Sequence, residues 1–133
     1  MPASFFDTNV LVYLASDPAK AGRARELLAH GGTISVQVLN EIANVTQRKL
    51  RFSWLETREF LSLICSFLSV IPITLRIHES GLGLAERYGL SVYDAMIAAA
   101  ALDSRCDTLW SEDMHDGLVI SGRLTVVNPF RAL

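Results

Sequence analysis

The chain has 133 residues, half of them hydrophobic and a fifth charged, with only eight Gly and four Pro. That composition excludes a disordered, collagen-like or low-complexity chain and supports a real core, because a chain of this size removes roughly two-thirds of its unfolded surface from water. A formal charge of −2, from 12 Lys and Arg against 14 Asp and Glu, excludes the broad basic footprint of a tight duplex-DNA binder, so any nucleic-acid contact must be local.

Two cysteines are too few for a disulfide scaffold, and Cys65, inside the apolar run 60–68, reads as a buried free thiol; both cysteines read as structural. The opening Met-Pro-Ala-Ser-Phe-Phe-Asp lacks the basic and apolar regions of a signal peptide. The longest apolar stretch, 60–75, is interrupted by Ser62, Ser66, Ser69 and Pro72 and falls short of the ~20 residues that span a bilayer. One domain over residues 1–133, with no membrane partner and a cytoplasmic location, is the expectation.

Residues 3–6 predict a short buried strand, and Thr8 or Asn9 can cap the apolar helical segment that follows. Pro18 stands where a second helix starts, and Gly31-Gly32 stops it before a strand at 33–35. A third helix is expected over about 36–50, with Val38, Ile42, Val45 and Lys49 on one side. Ser53 and Glu56 have capping-box spacing for a helix carrying the 60–68 stretch, which Pro72 ends. Residues 70–74 read as an edge strand, 75–88 as a helix stopped by Gly89, 91–103 as another helix, and 108–111 and 124–127 as strands. Strands alternating with helices imply an α/β fold, a three-layer α/β/α arrangement around a mostly parallel sheet of about four to five strands.

His30, His78 and His115 are scattered, neither Cys has a C-x-x-C partner, and no P-loop, nucleophile elbow or complete dinucleotide fingerprint is present. What remains is a set of acids. Asp7 directly follows the first strand, and ligands in open parallel sheets bind beyond the carboxyl ends of strands; alone, it reads equally as a helix cap. Glu41 shares a helix side with Val38 and Val45, where a long side chain can also snorkel to water. Asp94 is the one acid at the entry of a helix that is apolar nearly all round, although Ser91 and Asp94 also have capping-box spacing. Glu112, Asp113 and Asp116 follow the strand at 108–111, and spacing does not choose among them. Two carboxylates ~5 Å apart repel by roughly 3 kcal/mol at an effective dielectric near 20, so converging acids require a cation or raised pKa values. All-oxygen ligands select a hard divalent ion such as Mg²⁺, which points to phosphodiester chemistry.

Phe6-Asp7-Thr8-Asn9-Val10-Leu11, Glu41-Ile42-Ala43, Tyr93-Asp94-Ala95-Met96 and Thr108-Leu109-Trp110-Ser111-Glu112-Asp113-Met114, in that order, resemble the four motifs of the PIN domain family, specifically its VapC-like ribonuclease toxins. The resemblance covers essentially the whole chain. It implies an endoribonuclease dependent on Mg²⁺ or Mn²⁺, with Asp7, Glu41, Asp94 and Asp113 as metal ligands, Asp116 as an accessory acid, and Asn9 and Ser111 as polar neighbours that orient water or carboxylates. It further implies cuts in single-stranded RNA regions that leave a 5′-phosphate and a 3′-hydroxyl, a homodimer, and a small cognate antitoxin lying in an apolar groove. Arg48, Lys49 and Arg51, the one dense basic cluster, are candidates for RNA contact, or simply cations suited to a helix C-terminus. The competing expectations are a Mg²⁺-dependent phosphotransfer domain with Asp7 as nucleophile, and a non-catalytic PIN-like scaffold that binds RNA or protein.

Overall fold

The computed structural model describes residues 3–131. Six strands and six α-helices alternate for most of its length: β1 (Ser4–Phe6), α1 (Thr8–Ser16), α2 (Pro18–Ala29), β2 (Thr33–Ser35), α3 (Val36–Arg48), α4 (Trp54–Phe67), β3 (Ser69–Ile71), α5 (Leu75–Tyr88), α6 (Val92–Asp103), β4 (Thr108–Trp110), β5 (Val119–Ile120) and β6 (Leu124–Val127). The strands form one sheet in the order β3-β2-β1-β4-β6-β5, with every pairing parallel except that of β5 with β6. This is the expected α/β architecture with a mostly parallel sheet. The strand not foreseen is β5, whose two residues are too short to carry an alternating pattern.

The order puts β1 and β4 side by side at the centre, with Phe6 in register with Trp110. Both strands therefore end at the same level, and Asp7 and Ser111 emerge as neighbours, while Asp7 N–H continues the ladder to Trp110 O at 2.9 Å. Phe5, Phe6, Ile34, Leu109 and Val126 are fully buried, as expected for parallel strands covered by helices.

Helix α6 is the most deeply seated helix: Ala95 to Ala101 are all buried. Its small side chains permit close approach, and it packs along α5, where Gly81 leaves room for the Met96 side chain; a Cβ there would lie 2.7 Å from Met96 Sδ, which would have to shift. Helix α5 stops at Gly89 in the left-handed conformation, φ 67°, as its sequence predicts. The capping box of Ser53 and Glu56 is formed in both directions. Between α3 and α4, a buried node joins Thr46 Oγ1 to Thr57 Oγ1 at 2.9 Å, and Gln47 Nε2 donates to Thr57 Oγ1 and Phe52 O.

Three expectations need correction. The cap of α1 is Asp7 rather than Thr8 or Asn9: its backbone is extended and its carboxylate accepts from Thr8 N–H at 2.7 Å. The edge strand near Pro72 is shorter and earlier than 70–74, ending at Ile71. Cys65 is exposed, and the buried thiol is Cys106. The reason lies in helical phase: α4 packs through Thr57 and Ile64, and the position after Ile64 turns outward.

Candidate active site

The carboxyl ends of β1 and β4, with α1, α3 and the start of α6, enclose a cleft of about 550 Å³ lined by Asp7, Glu41, Asp94 and Asp113. Each acid arrives on a different element. Asp7 ends β1 and caps α1, and Glu41 lies midway along α3. Asp94 is in the first turn of α6, and Asp113 is in the loop after β4. The α6 N-terminus is held by Ser91 Oγ, which accepts from Asp94 N–H at 3.1 Å, and by Gln37 on α3, whose Nε2 donates to Tyr93 O at 3.2 Å.

Neutral donors hold the carboxylates of Asp7, Glu41 and Asp113. Asp7, only 4% exposed, accepts at Oδ2 from Ser111 Oγ at 2.7 Å and from Asn9 Nδ2 at 3.2 Å. The same Asn9 Nδ2 donates to Asp113 Oδ2 at 3.0 Å, and Thr8 Oγ1 donates to Glu41 Oε2. Burial pushes the Asp7 carboxyl up to about 6; bonds from Ser111 and Thr8 pull the other way, and the charges of Asp94 and Glu41 raise it further. Asp94 is raised too, by burial first and by the charge of Asp113, against the pull of Ser91. The acids thus sense one another across the cleft.

Asp116 is placed elsewhere. Its Oδ1 accepts from Asn128 N–H at 2.7 Å and its Oδ2 pairs with Arg131 at 2.5 Å, contacts that hold it below the usual carboxylate range. Of the basic cluster, Lys49 lines the cleft and Arg48 and Arg51 do not. Residues not singled out from the sequence also line it: Thr8, Tyr13, Ser16 and Asn44. Thr8 carried a signal in its place between Asp7 and Asn9, whereas Asn44 was detectable only as one helical turn beyond Glu41.

Among the described residues, no three His, Cys, Asp or Glu side chains stand close enough to form a ready-made metal cage. The donor chemistry nevertheless fits a hard divalent ion, since Mg²⁺ takes only one or two carboxylates directly and retains water in its other positions. A buried and a half-buried acid with raised pKa values, Asp7 and Asp94, leave negative charge that a cation would offset.

No curated protein sequence matches the chain significantly. Among solved structures, the chain is similar to one in a toxin–antitoxin complex from Klebsiella pneumoniae, with 27% identity, a TM-score of 0.72, and coverage of 96% of this chain and 98% of that one. It also shares the fold of Mycobacterium tuberculosis VapC20, a sarcin-ricin loop cleaving toxin, with 19% identity, a TM-score of 0.67, and coverage of 84% and 92%. VapBC2 from Rickettsia felis, bound to a DNA fragment from its promoter, gives 22% identity, a TM-score of 0.68, and coverage of 93% and 96%. The PIN domain model matches residues 4–115, a span that takes in all four cleft acids, and the chain belongs to the PIN domain family.

Proposed function

We propose that this protein is a divalent-metal-dependent endoribonuclease, the toxin of a toxin–antitoxin pair. The observation that carries the reading is the convergence of Asp7, Glu41, Asp94 and Asp113 on one cleft with no ion pair to any of them among the described residues. The likeness to a toxin–antitoxin chain over nearly its full length, and the fold shared with an RNA-cleaving toxin, support it.

In this reading those four carboxylates hold Mg²⁺ or Mn²⁺. When bound, the ion supplies Lewis acidity toward a phosphodiester oxygen and toward water. Ser111 and Asn9 fix the Asp7 carboxylate from one side, and Thr8 fixes Glu41 from another. Asn9 also sets the spacing between Asp7 and Asp113 by donating to both. Lys49, at the rim, suits a phosphate of the RNA backbone. Asp7 is a poor candidate for a phosphotransfer nucleophile, because it is buried and both its oxygens already accept hydrogen bonds.

The same reading carries a homodimer and a small antitoxin. An apolar groove of about 520 Å³ between α1, α2 and α4, lined by Leu14, Leu28, Phe52, Phe60, Leu63 and Phe67, offers a seat for an antitoxin segment.

The test is incubation of purified, antitoxin-free protein with total cellular RNA, in Mg²⁺ or EDTA, beside Asp94→Asn, with the new ends mapped. Discrete Mg²⁺-dependent cuts bearing 5′-phosphates, absent from the variant, are expected. A folded protein that binds Mg²⁺ and cuts no RNA overturns the reading.

A further inference from the structure

Next to the cleft lies an assembly of polar groups that the four-acid reading does not use. Glu112 sits between Ser111 and Asp113, yet its side chain is engaged with α1 and α2: Oε1 accepts from the Tyr13 hydroxyl and Oε2 from Lys20 Nζ at 2.5 Å. The Lys20 ammonium also lies 4.4 Å from the centre of the Tyr13 ring and 5.4 Å from that of Phe130, and the two rings meet edge to face at 5.2 Å. The backbone of Glu112 reaches the cleft itself, because its N–H donates to Asn9 Oδ1 at 3.1 Å.

That last bond fixes the accepting end of the Asn9 amide. An amide has one accepting end and one donating end, nearly identical in shape. With Oδ1 committed to the Glu112 N–H, Nδ2 is turned toward Asp7 Oδ2 and Asp113 Oδ2, the orientation two carboxylates require. Were the loop to move away, the amide would keep its donors toward Asp7 but lose its partner at Oδ1 and, with Asp113 carried on the same loop, its bond to Asp113 Oδ2.

We propose that Glu112, Tyr13 and Lys20 form a latch that positions Asn9 and Asp113 for the divalent ion by holding the loop after β4 against α1 and α2. They are positioning residues, acting through Asn9 and Asp113. The inference rests on the metal-binding part of the proposed function and extends it to residues outside the acidic set. Because the Lys20 and Glu112 side chains retain 27% and 23% of their exposure, the ion pair contributes little to global stability; its effect falls on the geometry of the cleft.

The test compares Lys20→Met, Tyr13→Phe and the double variant with the unmodified protein in two measurements: the Mg²⁺ concentration giving half-maximal rise in melting temperature, and steady-state RNA cleavage. Losing outer contacts of this kind typically costs about 10–100-fold in metal affinity or activity. The double variant is therefore expected to need roughly tenfold more Mg²⁺ and to lose about 10–100-fold in kcat, with KM for RNA within about twofold and a metal-free melting temperature within a few degrees. Lys20→Arg, which keeps the ion pair, restores the Mg²⁺ midpoint. An unchanged midpoint in the double variant overturns the latch, as does a loss that Lys20→Arg fails to restore or that follows unfolding alone. If the unmodified protein binds Mg²⁺ but cuts no RNA, the nuclease reading fails while the Mg²⁺ midpoints still decide the latch. A melting temperature that Mg²⁺ does not move overturns both the latch and the metal site.

Discussion

Within Ser111 to Asp116, three acids a few residues apart meet different fates. Glu112 is paired with Lys20, and Asp116 with Arg131. Asp113, between them, has the neutral amide of Asn9. The contrast extends further: Asp103 pairs with Arg76 and Glu26 with Arg23, whereas among the described residues Asp7, Glu41 and Asp94 make no ion pair. Among the described residues, four acids outside the cleft are paired with basic side chains, and none of the four inside it is. Exposed pairs of the first kind contribute ~0–1 kcal/mol. The uncompensated set is costlier. Raising Asp7 from 3.8 to about 6 corresponds to about 3 kcal/mol of disfavoured charge at neutral pH. The fold tolerates that cost where β1 and β4 end, the place where a cation can relieve it.

The sharpest way to break this contrast is to neutralise acids of each kind. Asp113→Asn is expected to lower kcat for RNA cleavage by about 10²–10⁴-fold, a range typical of groups acting in the chemical step, whereas Asp116→Asn stays within a few-fold because its carboxylate serves Asn128 and Arg131. Equal losses from both, measured under single-turnover conditions, would remove the distinction.

Stability is expected to move in the opposite sense. Asp7→Asn retains a good cap for α1 and removes a buried charge, so it should stabilise the metal-free protein by about 1–3 kcal/mol at pH 7 while abolishing cleavage. Urea unfolding in EDTA measures this; a destabilised variant would show that the charge is already compensated.

The pH dependence of the metal-free protein follows from the same group. Below about pH 4 Asp7 is protonated in both folded and unfolded states, and between 4 and 6 only the folded protein keeps the proton. As pH rises through 6 that advantage is lost. Lowering pH from 7 to 5 should therefore add about 1 kcal/mol from Asp7, with Asp94 contributing in the same direction. The carboxyls of Glu56 and Asp116 are held low, so their contributions are lost only in more acid solution. Saturating Mg²⁺ should shrink the slope between pH 5 and 7, and an identical slope with and without the ion would count against metal binding at Asp7. The smallest effect is expected at the rim: Lys49→Ala should weaken RNA binding a few-fold and reduce its salt slope by about 1, measurable by fluorescence anisotropy.

Much of this was legible in the sequence because the determining signals are local. Pro18, Ser53 with Glu56, and Gly89 each mark a helix end by short-range chemistry, and the structure uses all of them. Asp7, Glu41 and Asp94 are legible as residues that follow a strand or interrupt an apolar helix face, whereas only the family resemblance sets Asp113 apart from Glu112 and Asp116. What was not legible depends on distant partners or helical phase. Asp113 and Asp116 differ through the arrival of Asn9 from α1 and of Arg131 from beyond β6, neither of which spacing reveals. Lys20 and Tyr13 lie 92 and 99 positions from Glu112, so their contacts appear only in three dimensions. Cys65 departs from the burial its apolar run suggests because α4 turns Leu63 and Phe67 outward along with it.

The borders of the sheet limit how it can meet other molecules. On one side it ends in β3, three residues long and followed directly by Pro72, which has no N–H to extend a ladder. On the other it ends in β5, with two residues. Neither margin is long enough to template an added strand, which blunts edge-to-edge aggregation and leaves little backbone for an incoming peptide to zip onto. Recognition by this molecule is therefore a matter of side chains on helices and loops, so a bound segment must be selected by shape and charge.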